Sequence, residues 1–293
     1  MSTELMEDEF GATMELFRCP NGRLVAPDLV PDVVYNMTKL SLRDDDIMLC
    51  SYSKSGCHWL WEVLRYLKFG GMNNLENVDK EAYMVEYNTF ERLEQLKSPR
   101  ILNNHGFFED QPSDLLKKNV KVVFVYRNIK DLAVSYYHHH TRFQEYKYND
   151  SFTHYIRRLV SGLVDNGSVF EYLQGWEEGI RTSPGLSVHI VSYEDMKENP
   201  VAELRRLSEY LGTSTDIQFL ENVAKATDFE AMQTRKVTST LFLDQEGKPI
   251  MYRKGQVGDW KNYFTIADSE WMDEVIDREL GHSKLFKFKY SLN

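Results

Sequence analysis

The sequence predicts an α/β fold: one domain with a central parallel sheet and helices on both faces. Three observations predict it. Runs rich in apolar, β-branched or aromatic residues occur at residues 47–50, 120–126 and 187–193, the mark of buried strands, and residues 100–105 read as a further short strand. The stretches between those runs carry apolar residues at helical spacing, and strands that alternate with helices form a parallel sheet. Each run leads into a polar residue, Lys54, His105, Arg127 and Tyr193 respectively. In a parallel sheet these residues share one rim, beyond the carboxyl ends of the strands, where such sheets bind ligands.

The whole chain of 293 residues reads as a single domain, because no repeat, low-complexity tract or linker divides it. A formal charge of −10 argues against a nucleic-acid partner. No apolar run is long enough to span a membrane, and the acidic start Met1–Phe10 lacks the apolar region of a signal peptide. Cys19, Cys50 and Cys57 have neither disulfide nor metal spacing. A cytoplasmic protein without a metal is expected.

Residues 1–45 are mixed in character; Phe17–Val25 can form a hairpin, and Asp44–Asp46 make a solvated turn. The core is expected from residues 33–45 onward. Ile47–Cys50 is the first strand, Ser51–Gly56 a tight turn. From His58 the apolar residues Leu60, Val63, Leu64 and Leu67 fall at helical spacing, until Gly70-Gly71 stops the helix. A strand, a glycine-containing loop and a helix start make an anion site, because the first N–H groups of the helix lack partners and the dipole there is positive. Lys54 adds a charge. The loop is not a Walker A loop, since Lys54 precedes Gly56.

Residues 79–97 are charged and partly helical. His105 ends the next strand, and Phe107 and Phe108 follow, suited to an apolar pocket or to the core. Arg127 ends the strand 120–126; Asn128 caps a helix with Asp131 as the partner of a capping-box variant, and Ile129, Leu132, Ala133 and Tyr136 form its apolar face. In His138-His139-His140, side chains about 100° apart cannot easily share one ion, so packing and surface roles are expected. Residues 141–180 read as helices, with Phe143, Tyr146, Tyr148 and Phe152 able to face an acceptor or to pack. A helix over Ala202–Leu211 ends at Gly212. Thr227-Asp228-Phe229 opens another, and polar residues 233–250 are expected to form a mobile loop. Arg253-Lys254-Gly255 places two cations before a glycine, which suits an anion.

Several of these stretches resemble the cytosolic sulfotransferases, and the likeness covers nearly the whole chain. Residues 52–59, YSKSGCHW, are similar to the family's YPKSGTTW, with Ser53, Cys57 and His58 departing. YRNIKDLAVSYYHHH resembles RNPKDxxVSxxH, YEDMK with Asn199-Pro200 resembles YEDMKxNP, and Thr227-Asp228-Phe229 resembles TSF. Arg253–Lys261 matches RKGxxGDWK at every fixed position, and Lys261–Glu270 matches the family's dimerisation stretch KxxxTVxxxE except at Ile266. The family usually has Lys-x-His where this chain has Asn103-x-His105.

The resemblance implies a P-loop-like sulfotransferase fold. It implies transfer of a sulfuryl group from 3′-phosphoadenylyl sulfate (PAPS) to a hydroxyl or amine of a small, apolar or aromatic acceptor, with 3′-phosphoadenosine 5′-phosphate (PAP) as product and no metal. His105 is then the general base and Lys54 the cation at the leaving nucleotide. Lys54, Ser55, Gly56, Cys57 and His58 surround the 5′-phosphate. Arg127, Ser135, Arg253, Lys254 and Gly255 hold the 3′-phosphate. Trp59, Thr227 and Phe229 flank adenine, and Tyr193 touches the nucleotide. Asn103, His105, Phe107 and Phe108 face the acceptor, and Lys261–Glu270 forms a homodimer. His58, at the positive end of a helix, is expected to be neutral in the empty site and to gain a proton when an anion binds. Alternatives are an ATP-dependent kinase on a related fold, a nucleotide-binding protein that is not an enzyme, and a dehydratase whose sulfated product eliminates.

Overall fold

The computed structural model describes residues 3–70, 78–236, 242–244, 246–248 and 250–292. Seven strands are described: β1 (Thr3–Glu7), β2 (Thr13–Arg18), β3 (Leu24–Val25), β4 (Ile47–Ser51), β5 (Ile101–Asn104), β6 (Lys121–Tyr126) and β7 (Val188–Ser192). The last four form a sheet in the order β5-β4-β6-β7, and every neighbouring pair is parallel. Alternate residues of each strand enter different cores, as the two-residue period requires. Met48, Cys50, Val122 and Phe124 face one side; Ile47, Leu49, Val123 and Val125 face the other. The sheet is therefore buried on both faces, which explains why β4 and β6 read as nearly unbroken apolar runs. Helices Ile129–Arg142, Phe152–Val160 and Val169–Thr182 cover the first side, and Cys57–Phe69, Pro200–Leu211 and Ile217–Ala226 the second.

Register brings the strand ends level. Ser51 pairs with Val125, Cys50 with Asn104, and Tyr126 with Ser192. Lys54, His105, Arg127 and Tyr193 thus leave the sheet along one rim, as the alternation of strands and helices predicts.

The N-terminal residues depart from expectation. The hairpin at 17–25 forms, with Phe17 opposite Val25, but β1 adds a third antiparallel strand. Met14 and Leu16 are fully buried in the main core, which therefore begins before residue 33. Arg158, itself buried, bonds Asp8 at 2.9 Å and the carbonyls of Met6 and Ala12. This long-range clamp has no local signature. The helix expected from Ala202 starts at Pro200, which suits the first turn because proline lacks the N–H left unpaired there. Of the loop expected over 233–250, residues 233–236 belong to the helix Phe229–Lys236. Residues 237–241, 245 and 249 lie outside the described residues, while Phe242 and Ile250 are buried.

Candidate active site

The loop between β4 and the helix Cys57–Phe69 is shaped by two left-handed residues, Lys54 at φ +66° and Gly56 at φ +106°. A Cβ on Gly56 would lie 2.6 Å from the Tyr193 ring, so sterics as well as φ demand glycine. Tyr52 is buried and donates to the Gly167 carbonyl at 2.6 Å; Asn166 donates to the Ser53 hydroxyl at 3.0 Å. The loop is thereby tied to the turn at residues 165–167. Lys54 lies in the cavity behind it. Burial lowers the Lys54 ammonium to about 7, opposed by Asp165 and reinforced by Lys80, Arg127 and Arg253.

His105 follows β5. Its Nδ1 lies 2.8 Å from the Ser51 carbonyl oxygen. A carbonyl can only accept, so Nδ1 carries the proton and Nε2 keeps the lone pair. The His105 backbone N–H donates to Glu86. Burial and then the charge of Lys80 hold the imidazole down to about 3, so it stays neutral in ordinary buffers. Burial raises Glu86 to about 7.

Arg127 is braced from three sides. It donates to the carbonyls of Lys54 at 3.4 Å and Gln256 at 3.2 Å, and its guanidinium lies 4.5 Å from the Tyr193 ring centre. Asn128 caps the following helix through the Asp131 N–H. The reciprocal half of a capping box is absent: Glu194, not Asp131, accepts from the Asn128 N–H at 3.0 Å. Asp131 instead accepts from the Gly258 and Trp260 N–H groups at 2.7 and 2.9 Å. That pins the 253–260 loop over the cavity. Within the loop Asp259 pairs with Arg253 at 2.6 Å and Lys254 at 2.7 Å. Although burial works against it, Asp259 is lowered to about 2 by these cations and Asn262. A Cβ on Gly255 would meet the Phe229 ring at 2.2 Å.

One cavity is lined by Lys54, Gly56, Cys57, His58, Trp59, His105, Arg127, Ser135, Tyr193, Phe229, Arg253, Lys254 and Gly255. These residues come from the four strand ends, from the helices Cys57–Phe69, Ile129–Arg142 and Phe229–Lys236, and from the 253–260 loop, and the sequence reading named all of them. Two buried donors on its wall, Arg127 Nε and Trp59 Nε1, have no hydrogen-bond partner among the described residues. With Lys54, Lys197, Arg253 and Lys254 around them, they make a donor set that fits a polyanion. His58 Nε2 is engaged by Glu81 at 2.7 Å; burial lowers its pKa against that carboxylate.

Five named residues are not on this wall. Ser55 is buried in the turn, and Thr227 donates to the Val223 carbonyl at 2.8 Å. Asn103 is buried in β5 against Lys80. Phe107 packs on Tyr172 and under the Arg23 guanidinium, and Phe108 on Trp176 and Gly179. The rest of the cavity wall includes Ala26, Leu29, Met84, Tyr87, Tyr146 and Phe242, together with Lys80, Glu81 and Asp165. No local pattern marks Lys80, Glu81 or Met84; Asp165 precedes an Asn-Gly turn signal that shows a turn but not its place in the fold. The three consecutive histidines separate: His138 meets Tyr263 at 2.9 Å, His139 lines the cavity, and His140 is buried between Tyr155 and Asp165. Of the four aromatics between 143 and 152, Tyr146 lines the cavity and Phe143, Tyr148 and Phe152 pack in or against the core.

Comparison with known proteins places this geometry. Residues 44–284 match the family model of the sulfotransferase domain. Sulfotransferase 1C2 of Oryctolagus cuniculus is 30% identical over 254 residues, spanning 81% of this chain and 84% of that protein. Sulfotransferase 1E1 of Bos taurus is 31% identical over 271 residues, spanning 87% and 90%. The crystal structure of mouse sulfotransferase SULT7A1 complexed with PAP superposes with a TM-score of 0.77 at 26% identity, over 92% of this chain and 95% of that one. The chain therefore belongs to the sulfotransferase family, and it is an enzyme that transfers a sulfuryl group from 3′-phosphoadenylyl sulfate.

Proposed function

We propose that this enzyme sulfates a small apolar or aromatic hydroxyl or amine, with His105 as general base, and that it binds PAP as product without a metal. One observation carries the reading. His105, with its proton fixed on Nδ1 by Ser51, shares a cavity with the cations Lys54, Arg127, Arg253 and Lys254. In the proposed step His105 Nε2 takes the proton of the acceptor as the acceptor atom bonds to sulfur. The bond from sulfur to the 5′-phosphate oxygen breaks, and its electron pair stays on that oxygen, beside Lys54 and the N–H groups of Gly56, Cys57 and His58. Arg127, Ser135, Arg253, Lys254 and the Gly255 N–H hold the 3′-phosphate. Trp59, Tyr193 and Phe229 bound the adenosine. The aromatic and aliphatic wall around Tyr87, Tyr146 and Phe242 supports a compact apolar acceptor.

PAP is expected to bind in metal-free buffer far more tightly than AMP, because the 3′-phosphate meets three cations. Calorimetry with both ligands tests this; equal affinities would remove the 3′-phosphate subsite. Product mass after incubation with PAPS and an acceptor separates sulfation from a dehydratase outcome.

The segment Lys261–Glu270 supports a homodimer. Thr265 caps the helix Ile266–Leu280, and Ile266 projects from its first turn at 79% exposure. Such an interface is small and of modest strength. Light scattering is expected to show dimers that Ile266→Glu dissociates; monomers alone at micromolar concentration, unchanged by the substitution, would rule it out. A cytoplasmic location is supported by three free, buried cysteines. Among the described residues no helix is long and apolar enough to cross a membrane, and no cluster of His, Cys, Asp or Glu could hold a metal ion.

A further inference from the structure

Lys80 is a buried lysine on the short 3-10 turn Lys80–Tyr83, in a segment that offered no functional signal in the sequence. Its ammonium reaches three protein atoms: Asn103 Oδ1 at 3.0 Å, Met84 Sδ at 3.2 Å and Glu81 Oε1 at 3.8 Å. The Glu81 oxygen is the one already held by His58 at 2.7 Å. No carboxylate among the described residues therefore bonds Lys80 at normal hydrogen-bond length. A buried ammonium with only an amide, a thioether and a shared carboxylate edge is poorly compensated. It also lines the active-site cavity beside His105, Cys57 and His58.

Asn103 acts as its clamp. While Asn103 Oδ1 accepts from the ammonium, Asn103 Nδ2 donates to the Lys80 carbonyl at 3.2 Å. Asn103 lies near the end of β5 and His105 just beyond it, and the Lys80 charge held by Asn103 acts on the His105 imidazole. The Cys57 thiol, at the start of the anion-binding helix, approaches the same Asn103 oxygen at 4.0 Å. The ammonium is thereby fixed between the base on one strand end and the N-terminus of the helix. Glu81, Glu86, His58, Lys54, Asp165, Cys57 and His139 are the other charged and titratable groups around Lys80 and His105.

We propose that Lys80 is a catalytic residue, whose ammonium, held by Asn103, meets the oxygens of the sulfuryl group during its transfer. The inference rests on the sulfuryl-transfer reading above. In the transition state negative charge is shared by oxygens that a prepositioned donor can meet without reorganisation. The same ammonium disfavours a charged imidazole and so keeps His105 available as a base.

The test uses the full chain with PAPS and a panel of 1-naphthol, 4-nitrophenol and 2-naphthylamine, taking the acceptor that wild type turns over fastest. Lys80→Met is expected to lose about 10²–10³-fold in kcat, the range for removal of one such donor, while its affinity for PAP, measured separately by calorimetry, stays within a few-fold. Lys80→Arg is expected to recover part of the loss. The acid limb of the kcat profile is expected to move to higher pH in Lys80→Met, because the cation that opposes imidazolium is gone. Because position 103 touches the ammonium, Lys80→Met/Asn103→Lys is expected to return a charge to the same place and restore turnover. Lys80→Gln, neutral but able to bond Asn103, carries the test if Lys80→Met does not fold. A folded neutral variant with wild-type turnover would overturn the proposal. So would a loss that Asn103→Lys fails to rescue and that leaves the pH profile unmoved, which is the pattern of a purely structural clamp. Wild type that binds PAP but sulfates no acceptor and forms no product from PAPS would count against the sulfuryl-transfer reading instead.

Discussion

His105→Ala is expected to lose turnover by about 10²–10⁴-fold, the usual contribution of a general base, with PAP affinity nearly unchanged. The split follows from position. His105 is fixed by Ser51 and Glu86 at the end of β5, and the cations assigned to the nucleotide come from β4, β6 and the 253–260 loop. Its loss removes an interaction with the acceptor that strengthens in the transition state, not one with the bound nucleotide. Steady-state kinetics with PAPS and calorimetry with PAP check both halves. A variant that keeps most of its turnover would take His105 out of the chemistry, and one that loses PAP binding equally would make it a scaffold residue.

The affinity of wild type for PAP is expected to fall as pH rises above about 7, and Lys54 is the reason. In the free protein burial lowers the Lys54 ammonium to about 7. A bound phosphate favours the charged form, so the pKa in the complex is higher than in the free protein. A group with the higher pKa in the complex favours binding at low pH. Its contribution is full below the free value, then declines by up to about tenfold per pH unit until the pKa of the complex is reached. Lys54→Arg keeps its charge at every accessible pH, so it lacks this decline, while Lys54→Met binds weakly throughout and loses the cation at the leaving oxygen. Calorimetry from about pH 6 to about pH 9 separates the three, because the titration of PAP itself is common to all. Identical pH dependence in wild type and Lys54→Arg would exclude Lys54 as the titrating ligand. The same series with His58→Thr isolates His58, whose Nε2 already has the Glu81 carboxylate as a partner.

Much of the cavity was legible in the sequence because its parts obey local rules. The loop at 52–56 needs a glycine where φ is positive, and Gly56 supplies it. Asn128 caps its helix through its own third neighbour, a bond that spans three residues. Arg127 follows a run of buried residues and Tyr193 a strand buried at its end, and a parallel register must bring such ends to one rim. The likeness at Arg253–Lys261 supplied that loop, although nothing local says that Asp131 is what holds it.

The misreadings share a cause. Phe107 and Phe108 come shortly after His105 and are apolar, which suits a pocket or a core equally. Which one they enter depends on Tyr172, Trp176 and Gly179, more than sixty residues downstream in the sequence. Asn103 sits where an acceptor contact was expected, yet its amide is spent on Lys80, in a segment separated from it by a charged, weakly periodic stretch.

By itself the sequence determined the α/β class, the strand ends and the anion loop, because strand period, helix period and backbone sterics act between near neighbours; the roles expected of His105 and of the cations came from the family resemblance. Only the tertiary structure decided that Lys80 lines the cavity with His105, that Asp165 faces Lys54, that Asp131 anchors the 253–260 loop and that the N-terminal strands join the core. Each of those rests on a contact between residues far apart in the chain. Its geometry exists only after the sheet has set the register and the helices have packed, and nothing in the local sequence carries that information.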